Sequence, residues 1–178
     1  EVAGDAIAFL DADDLFSANW LSNGMARLRA EEARGRSVIV HPELNWLFDG
    51  AHSVFWKPDQ DDPLFLSEYF YFMNYYDSLC LVPRAAHLEV PYVIRDIPRG
   101  LSFQDWQFSI ETMAAGWTHV SAPDTVIFKR RRDESLVTES RARKALVRPL
   151  APMRMDRIAD LGKAAPAGRS ASRRAAAA

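Results

Sequence analysis

The sequence predicts an α/β domain in which helices flank a buried mixed sheet. Of its 178 residues, 48% are hydrophobic and 26% are charged, which is typical of a globular domain and excludes a fibrous, repetitive or disulfide-rich protein. A continuous apolar run over residues 6–10 is too short for a helix and is typical of a parallel strand covered on both faces. A helical apolar stripe follows, formed by Trp20, Leu21, Met25 and Leu28. A strand followed by a helix is the basic unit of α/β folds.

The first helix is predicted to begin at a Ser17 cap, to reach about Arg34 and to stop at Gly35. Short β-branched and aromatic runs then predict strands over residues 37–41, 45–48 and 53–56.

The polar loop over residues 57–63 contains Asp59, Asp61 and Asp62. No apolar strand presents these residues at a fixed spacing, so we interpret them as a solvated loop.

A segment dense in aromatic residues follows, and its spacing predicts a short helix packed on several sides. Core packing is the default interpretation, and the alternative is a platform on which a sugar stacks. These residues are Phe65, Tyr69, Phe70, Tyr71, Phe72, Tyr75 and Tyr76.

Three acidic residues close the first strand. Asp11 and Asp13 are two apart, so on an extended backbone both carboxylates point the same way, at the edge where α/β sheets bind ligands. Such hard oxygen ligands suit Mg²⁺ or Mn²⁺ bound to the phosphates of a nucleotide. The alternative is that Asp13 and Asp14 solvate a turn that Asp11 caps.

Asp105 begins a second predicted helix, which runs to Ala115 and stops at Gly116. A carboxylate in the first turn, three residues after Ser102, is close to a capping box and favours a structural role. The same position beside aromatic rings also suits a general base. From Asp105 alone, both interpretations stay open.

Both motifs together resemble the family-two glycosyltransferases of the GT-A fold. The resemblance covers residues 1–136 and rests on Gly-Asp-x-Ile-Ala-Phe-Leu-Asp-Ala-Asp-Asp-Leu before a Trp-Leu helix, and on Asp-Trp before a helix that ends in Ala-Gly-Trp. The implied fold is a GT-A mixed sheet. Residues 1–136 would be its C-terminal, metal- and acceptor-binding part, because the strands that read the nucleotide would precede Glu1.

The resemblance also implies roles for single residues. Asp11 and Asp13 would hold Mg²⁺ or Mn²⁺ and the donor, Asp105 would be the catalytic base, and Trp106 would contact the acceptor. Gln104 stands where the family usually has Glu.

A basic run, Lys129 to Arg132, follows the predicted strand at residues 125–128. In the resemblance, Arg130 and Arg131 would contact the donor diphosphate, which suits the planar guanidinium; the alternative is a solvated basic edge. On the preceding strand, His119 is interpreted as a packed residue rather than a metal ligand.

The implied activity is transfer of a hexosyl or related sugar from a nucleotide-diphospho-sugar to a hydroxyl of a glycan, lipid-linked or other acceptor, with inversion and with a metal. This chain alone is predicted to be inactive. Two alternatives are a noncatalytic domain that binds a glycan or a partner, and a phosphotransferase of the haloacid dehalogenase type, in which Asp11 would be the nucleophile. Against the latter, Asp14 follows the second Asp where that family has Thr or Val.

The remaining sequence completes the expectations. Residues 137–162 are predicted to be a partly helical extension, with helix over 141–147 and 152–161, and residues 163–178 a disordered basic tail. Cys80 lies in an apolar run and is expected to pack in the core of a cytoplasmic protein. No run approaches a membrane span, so any membrane association would be peripheral, at the inner face. No nucleic-acid partner is predicted.

Overall fold

Within residues 4–163, which the computed structural model describes, six strands form one mixed sheet and four α-helices flank it. This arrangement confirms the predicted α/β class. The elements, in chain order, are β1 (Ala6–Ala8), β2 (Leu15–Phe16), α1 (Trp20–Ala33), β3 (Val38–Asp49), β4 (Ser53–Trp56), β5 (Leu81–Pro83), α2 (Arg84–Glu89), α3 (Gln104–Ala114), β6 (Thr118–Arg131) and α4 (Leu136–Ala142).

The centre of the sheet is the long pair formed by β3 and β6. The strand order is β1-β5-β3-β6-β2, and β4 pairs with the second half of β3. β3 and β6 run parallel, from Val38 beside Thr118 to Asp49 beside Arg131, with an irregularity between Pro42 and Leu44. The other pairs are antiparallel.

The prediction of a buried parallel strand over residues 6–10 is wrong in two respects. β1 is antiparallel to β5, and in the described part of the chain it lies at the edge of the sheet. Ile7 is half-buried and Ala8 is exposed, so the strand is not covered on both faces. An apolar run cannot by itself show on how many sides it is paired.

Two further predictions split what is one strand. β3 begins at Val38, one residue later than predicted, and contains both residues 38–41 and residues 45–48. The strand continues past Pro42 because the irregularity in pairing at that point accommodates a residue without an N–H group. The predicted strand at 125–128 is the second half of β6, which also contains His119. The strand predicted at 53–56 is confirmed as β4.

The first helix is confirmed, but its predicted cap is not. α1 begins at Trp20, and Gly35 follows its end with φ of 75°. Ser17 does not cap the helix: its hydroxyl accepts a hydrogen bond from the Val126 N–H at 3.0 Å and so joins β6.

The segment over residues 137–162 is less helical than predicted. The helix expected at 141–147 is instead α4, which ends at Ala142. In place of the helix expected at 152–161, there are two short 3₁₀ helices, Ala151–Met153 and Ile158–Gly162. Pro149 and Pro152 remove the backbone donors that a longer helix would need. All of the predicted tail except Lys163 lies outside the described residues.

Three apolar clusters form the core. The first packs α1 on one face of the sheet, through residues such as Trp20 and Val120. The second packs α2 and α3 on the opposite face and includes Cys80, whose predicted place in the core is confirmed. The third joins α3 to the aromatic segment.

In the aromatic segment, the predicted short helix is a 3₁₀ helix at Ser67–Tyr71. Phe65, Phe70 and Tyr76 are buried as expected of core residues, whereas Phe72 is largely exposed.

A chain of polar side chains lies buried between β3, β6 and α3. The Thr112 hydroxyl donates to the Phe108 carbonyl at 2.6 Å and is therefore free to accept from His119 Nε2, 2.9 Å away. His119 Nδ1 then accepts from His41 Nε2, also at 2.9 Å. Both imidazoles are neutral in this arrangement, and burial lowers the pKa of His119 to about 3 and that of His41 well below its ordinary value. His119 is thus a packed strand residue, as predicted.

This burial predicts a loss of stability in acid. Because the pKa of His119 is lower in the folded than in the unfolded state, its contribution is present above pH 6.5 and declines as the pH falls towards 3. We expect His119→Gln to weaken this decline by about 1 kcal/mol per pH unit in the free energy of unfolding measured with denaturant. The matched control is the exposed His52→Gln. Equal declines in both variants would contradict the assignment.

Candidate functional site

A cleft of about 570 Å³ opens where the residues after β1, the end of β6, the beginning of α3 and the beginning of α4 meet. Five residues singled out in the sequence line it together: Asp11, Asp13, Asp105, Arg130 and Arg131. The second acidic group does not contribute to the cleft. Asp59 and Asp61 form ion pairs with Arg27 at 2.7 Å and with Arg36 at 2.8 Å. Their loop is not simply solvated, as was predicted, because Lys57, Pro58 and Gln60 within it are buried.

The acidic residues after β1 form a turn rather than the extended segment that was predicted. The Asp14 N–H donates to the Asp11 carbonyl at 3.1 Å, which closes the turn. The Asp14 carboxylate is buried and accepts from the Arg130 N–H at 2.8 Å. Burial raises the pKa of Asp14, although this hydrogen bond opposes the rise. One carboxylate therefore fixes the turn against β6, and Asp11 and Asp13 line the cleft.

Asp105 lies in the first turn of α3 and is half-buried in the wall of the cleft. Burial raises its pKa to about 6, against the opposing effect of a hydrogen bond from the Trp106 N–H. The predicted capping box is wrong, because Ser102 does not cap α3: its hydroxyl pairs with that of Ser140 in α4 at 2.7 Å.

The residue that turns the chain into α3 is strained. Phe103 has φ of 62°, in the left-handed region that costs a non-glycine residue about 1–2 kcal/mol. Its neighbours on both sides are fixed, Ser102 by Ser140 and Gln104 by the helix. This conformation places both Phe103 and Asp105 at the cleft.

Lys129 is a cleft residue to which sequence reasoning gave no role of its own. Its ammonium lies 3.5 Å from Asp77 and 4.0 Å from Asp14. Burial alone would lower the pKa of Lys129, but these carboxylates outweigh it and the pKa is raised. The group therefore keeps its charge at the wall of the cleft.

Asp77 fixes the Lys129 ammonium through further contacts of its own. Its carboxylate also contacts the buried Lys57 ammonium at 3.1 Å and accepts from the Asn45 amide at 2.6 Å. Although burial would raise the pKa of Asp77, the two ammonium groups hold it well below its ordinary value. Asn45, Lys57, Asp77 and Lys129 come from distant parts of the chain, so no local sequence pattern predicts that they are in contact.

The arginines at the end of β6 are partly paired. Arg130 contacts Asp49 at 2.5 Å and Arg132 contacts Asp13 at 2.9 Å, both as exposed or partly exposed pairs of small energetic weight. An anion with more negative charge than a single carboxylate, once in the cleft, can compete with Asp49 and Asp13 for these guanidinium groups. Three arginines and Lys129 give this wall its positive charge.

Trp106 does not line the cleft, although it follows Asp105. Its ring packs at the margin of the third core cluster, and the buried Nε1 has no hydrogen-bond partner among the described residues. Phe103 and Tyr92 are the aromatic residues that line the cleft.

Comparison with known proteins assigns no family. No family profile, curated protein or solved structure matches the chain significantly. Within residues 4–163, no helix is both long and apolar enough to cross a bilayer.

Asp11 and Asp13 are the residues that could hold a divalent cation. In the described part of the chain, no three His, Cys, Asp or Glu side chains converge as a metal cage. Mg²⁺ and Mn²⁺ do not require one, because at nucleotide sites one or two carboxylates suffice when phosphate oxygens and water complete the shell. Asp11 and Asp13 line the open cleft and could contribute carboxylate oxygens to such a shell, with the cation displacing Arg132 from Asp13.

The raised pKa of Asp105 predicts that its charge destabilises the fold. The folded protein binds this proton more tightly than the unfolded chain, so wild-type stability falls as the pH rises from about 4 to about 6. We expect Asp105→Asn to raise the free energy of unfolding by about 1–3 kcal/mol above pH 6. Thermal or denaturant unfolding at several pH values measures this. The gain should vanish below about pH 4, and a gain independent of pH would contradict the explanation.

Proposed function

We propose that this cleft transfers a sugar from a nucleotide-diphospho-sugar to an acceptor hydroxyl, as in a GT-A glycosyltransferase. The proposal rests on one observation: the acidic turn, the basic end of β6 and a carboxylate with a raised pKa line the same cleft. The resemblance of the two motifs to family-two glycosyltransferases adds the reaction class.

The donor diphosphate would lie between the acidic turn and the basic wall. Arg130 and Arg131 would contact the diphosphate, since guanidinium groups pair well with phosphate oxygens, and Lys129 and Arg132 add positive charge to the same wall. A Mg²⁺ or Mn²⁺ bound to Asp11 and Asp13 would neutralise charge on the leaving diphosphate. The buried ion pairs behind Lys129 keep its ammonium in place without rearrangement, which favours charge stabilisation in the transition state.

Asp105 would act as the general base. In its ionised form it accepts the proton of the acceptor hydroxyl while that oxygen bonds to the anomeric carbon. The bond between the anomeric carbon and the phosphate oxygen breaks, and its electron pair leaves with the nucleoside diphosphate. A single displacement of this kind inverts the anomeric configuration. A pKa of about 6 leaves Asp105 mostly ionised at neutral pH yet more basic than an ordinary carboxylate.

This role of Asp105 predicts a pH dependence. The rate of sugar transfer should rise with pH and level off above about pH 6, because the base must be ionised. Asp105→Asn should lower the turnover number by about 10²–10⁴ at saturating donor. The control Asp156→Asn removes an exposed carboxylate of a different region and should behave as wild type. Near-normal transfer by Asp105→Asn would remove this residue from the role.

The acidic turn predicts a metal dependence. Release of nucleoside diphosphate from a panel of nucleotide sugars should require Mg²⁺ or Mn²⁺ and should fall at least about 10²-fold in Asp13→Asn. Asp62→Asn, in the surface loop, is the control. Binding of Mn²⁺ to the chain, followed by its electron paramagnetic resonance signal, gives a readout independent of turnover.

The same assay separates the other function classes. Binding of a glycan that is insensitive to a chelator, without release from any donor, would favour a noncatalytic binding domain. Phosphate transfer through a covalent intermediate on Asp11 would favour a phosphotransferase.

A further inference from the structure

The strained residue before α3, Phe103, lines the cleft with an aromatic side chain. We propose that the Phe103 ring is the platform on which a pyranose acceptor stacks while one of its hydroxyls faces Asp105. This role depends on the proposed transferase function and deepens it, because it assigns the acceptor to the carbohydrates. Phe103 then makes the acceptor contact that the sequence predicted for Trp106, whose ring does not line the cleft.

The backbone conformation at position 103 is one that glycine adopts without penalty. Where the chain also has a positive φ, at Gly35, Gly100 and Gly116, it uses glycine, with φ of 75°, 71° and 87°. A bulky aromatic residue in this region is a conformational outlier, because its Cβ is crowded there. Such outliers cluster at ligand-binding and catalytic sites. The strain at Phe103 therefore indicates a use for its side chain.

The contacts on either side of Phe103 hold it in this conformation. The Ser102 N–H donates to the Leu146 carbonyl at 2.9 Å, and the Ser102 hydroxyl pairs with that of Ser140 at 2.7 Å. On the other side, the Gln107 N–H donates to the Phe103 carbonyl at 3.1 Å, at the beginning of α3. The backbone that carries the ring is thus fixed two residues before the proposed base, so the acceptor does not have to order it.

The Phe103 ring is only partly covered. Phe103 is half-buried, and its ring meets that of Trp106 edge-on, with 6.0 Å between the ring centres and 66° between the planes. An edge-to-face contact uses at most one face of each ring. The other aromatic residue at the cleft, Tyr92, is instead stacked on Phe108 at 4.6 Å, and its hydroxyl is buried. Phe103 is therefore the better placed of the two to receive a ligand.

The cleft also contains polar side chains that suit the hydroxyl groups of a sugar. Gln104 and Ser78 line it together with Asp105, and an amide or a hydroxyl can both donate to and accept from a sugar hydroxyl. A pyranose combines an apolar face of C–H groups with a rim of hydroxyls, which matches an aromatic ring beside such polar groups. The apolar chain of a lipid alcohol would leave Gln104 and Ser78 without partners, which lowers affinity.

Saturation-transfer nuclear magnetic resonance on the 178-residue chain tests this contact without turnover. The probes are the methyl β-pyranosides of glucose, galactose and N-acetylglucosamine, with 1-butanol as an apolar alcohol. Irradiation of the aromatic protons should transfer signal to the ring C–H groups of at least one glycoside. Phe103→Leu keeps an apolar side chain without a ring and should bind that glycoside about tenfold more weakly.

Two further substitutions separate binding from folding. Phe103→Ala and Phe103→Gly both remove the ring, but only glycine relieves the strain, so Phe103→Gly should have the higher midpoint of thermal unfolding. Both should lose glycoside binding to the same extent. The control is Lys144→Gly, because Lys144 is exposed, has φ of 52° and lies outside the lining of the cleft. It should also raise the midpoint and should leave glycoside binding unchanged.

Three outcomes would overturn the proposal: no binding of any glycoside to the wild type, equal binding by Phe103→Leu and the wild type, or tighter binding of 1-butanol than of every glycoside. The last would assign an apolar acceptor to the cleft. Failure of the transferase function is seen separately. If glycosides bind through Phe103 but no donor releases nucleoside diphosphate, the transferase reaction is contradicted and the sugar-binding role of Phe103 stands.

Discussion

The parallel pairing of β3 with β6 is the constraint on which the rest of the structure depends. It joins two strands of 12 and 14 residues across the centre of the sheet, and every other strand pairs with one of these two or, for β1, with their neighbour β5. At one end the pairing brings His41 to His119 in the core; at the other it presents Lys129 and its neighbours to the acidic turn. The core and the cleft are thus two ends of one ladder.

The sequence predicts the local elements of this fold better than their connections. Helix α1 and strand β4 are read correctly because their apolar spacing and stop signals lie within a few residues. The full length of β3 is not, since Pro42 is an ordinary stop signal and only the neighbouring strand shows that the pairing continues past it. The antiparallel edge position of β1 likewise depends on β5, which lies far along the chain.

In the candidate site, too, residues within short motifs are predicted from the sequence, whereas residues related only by contact are not. Asp11, Asp13 and Asp105 are found from the sequence because each belongs to a short motif, and the structure places all three at one cleft. Lys129 and Asp77 are missed because their role arises from a contact between residues that no spacing relates. The only feature of the sequence that could have indicated a role for Lys129 is its position at the end of an apolar strand. The three arginines that follow it made it look like one member of a basic run. The transferase chemistry itself rests on these motifs and stays a proposal.

The hydrogen bond from the Arg130 N–H to Asp14 has a consequence for how this cleft can change during evolution. The main chain supplies the donor, so almost any residue at position 130 preserves the bond and with it the location of the acidic turn. The side chain at position 130 is therefore free to change, unlike that of Lys129, which Asp77 and Asp14 hold in place. Substitutions at position 130 can thus alter the charge at the cleft during evolution without disturbing the backbone contact that holds the acidic turn in place.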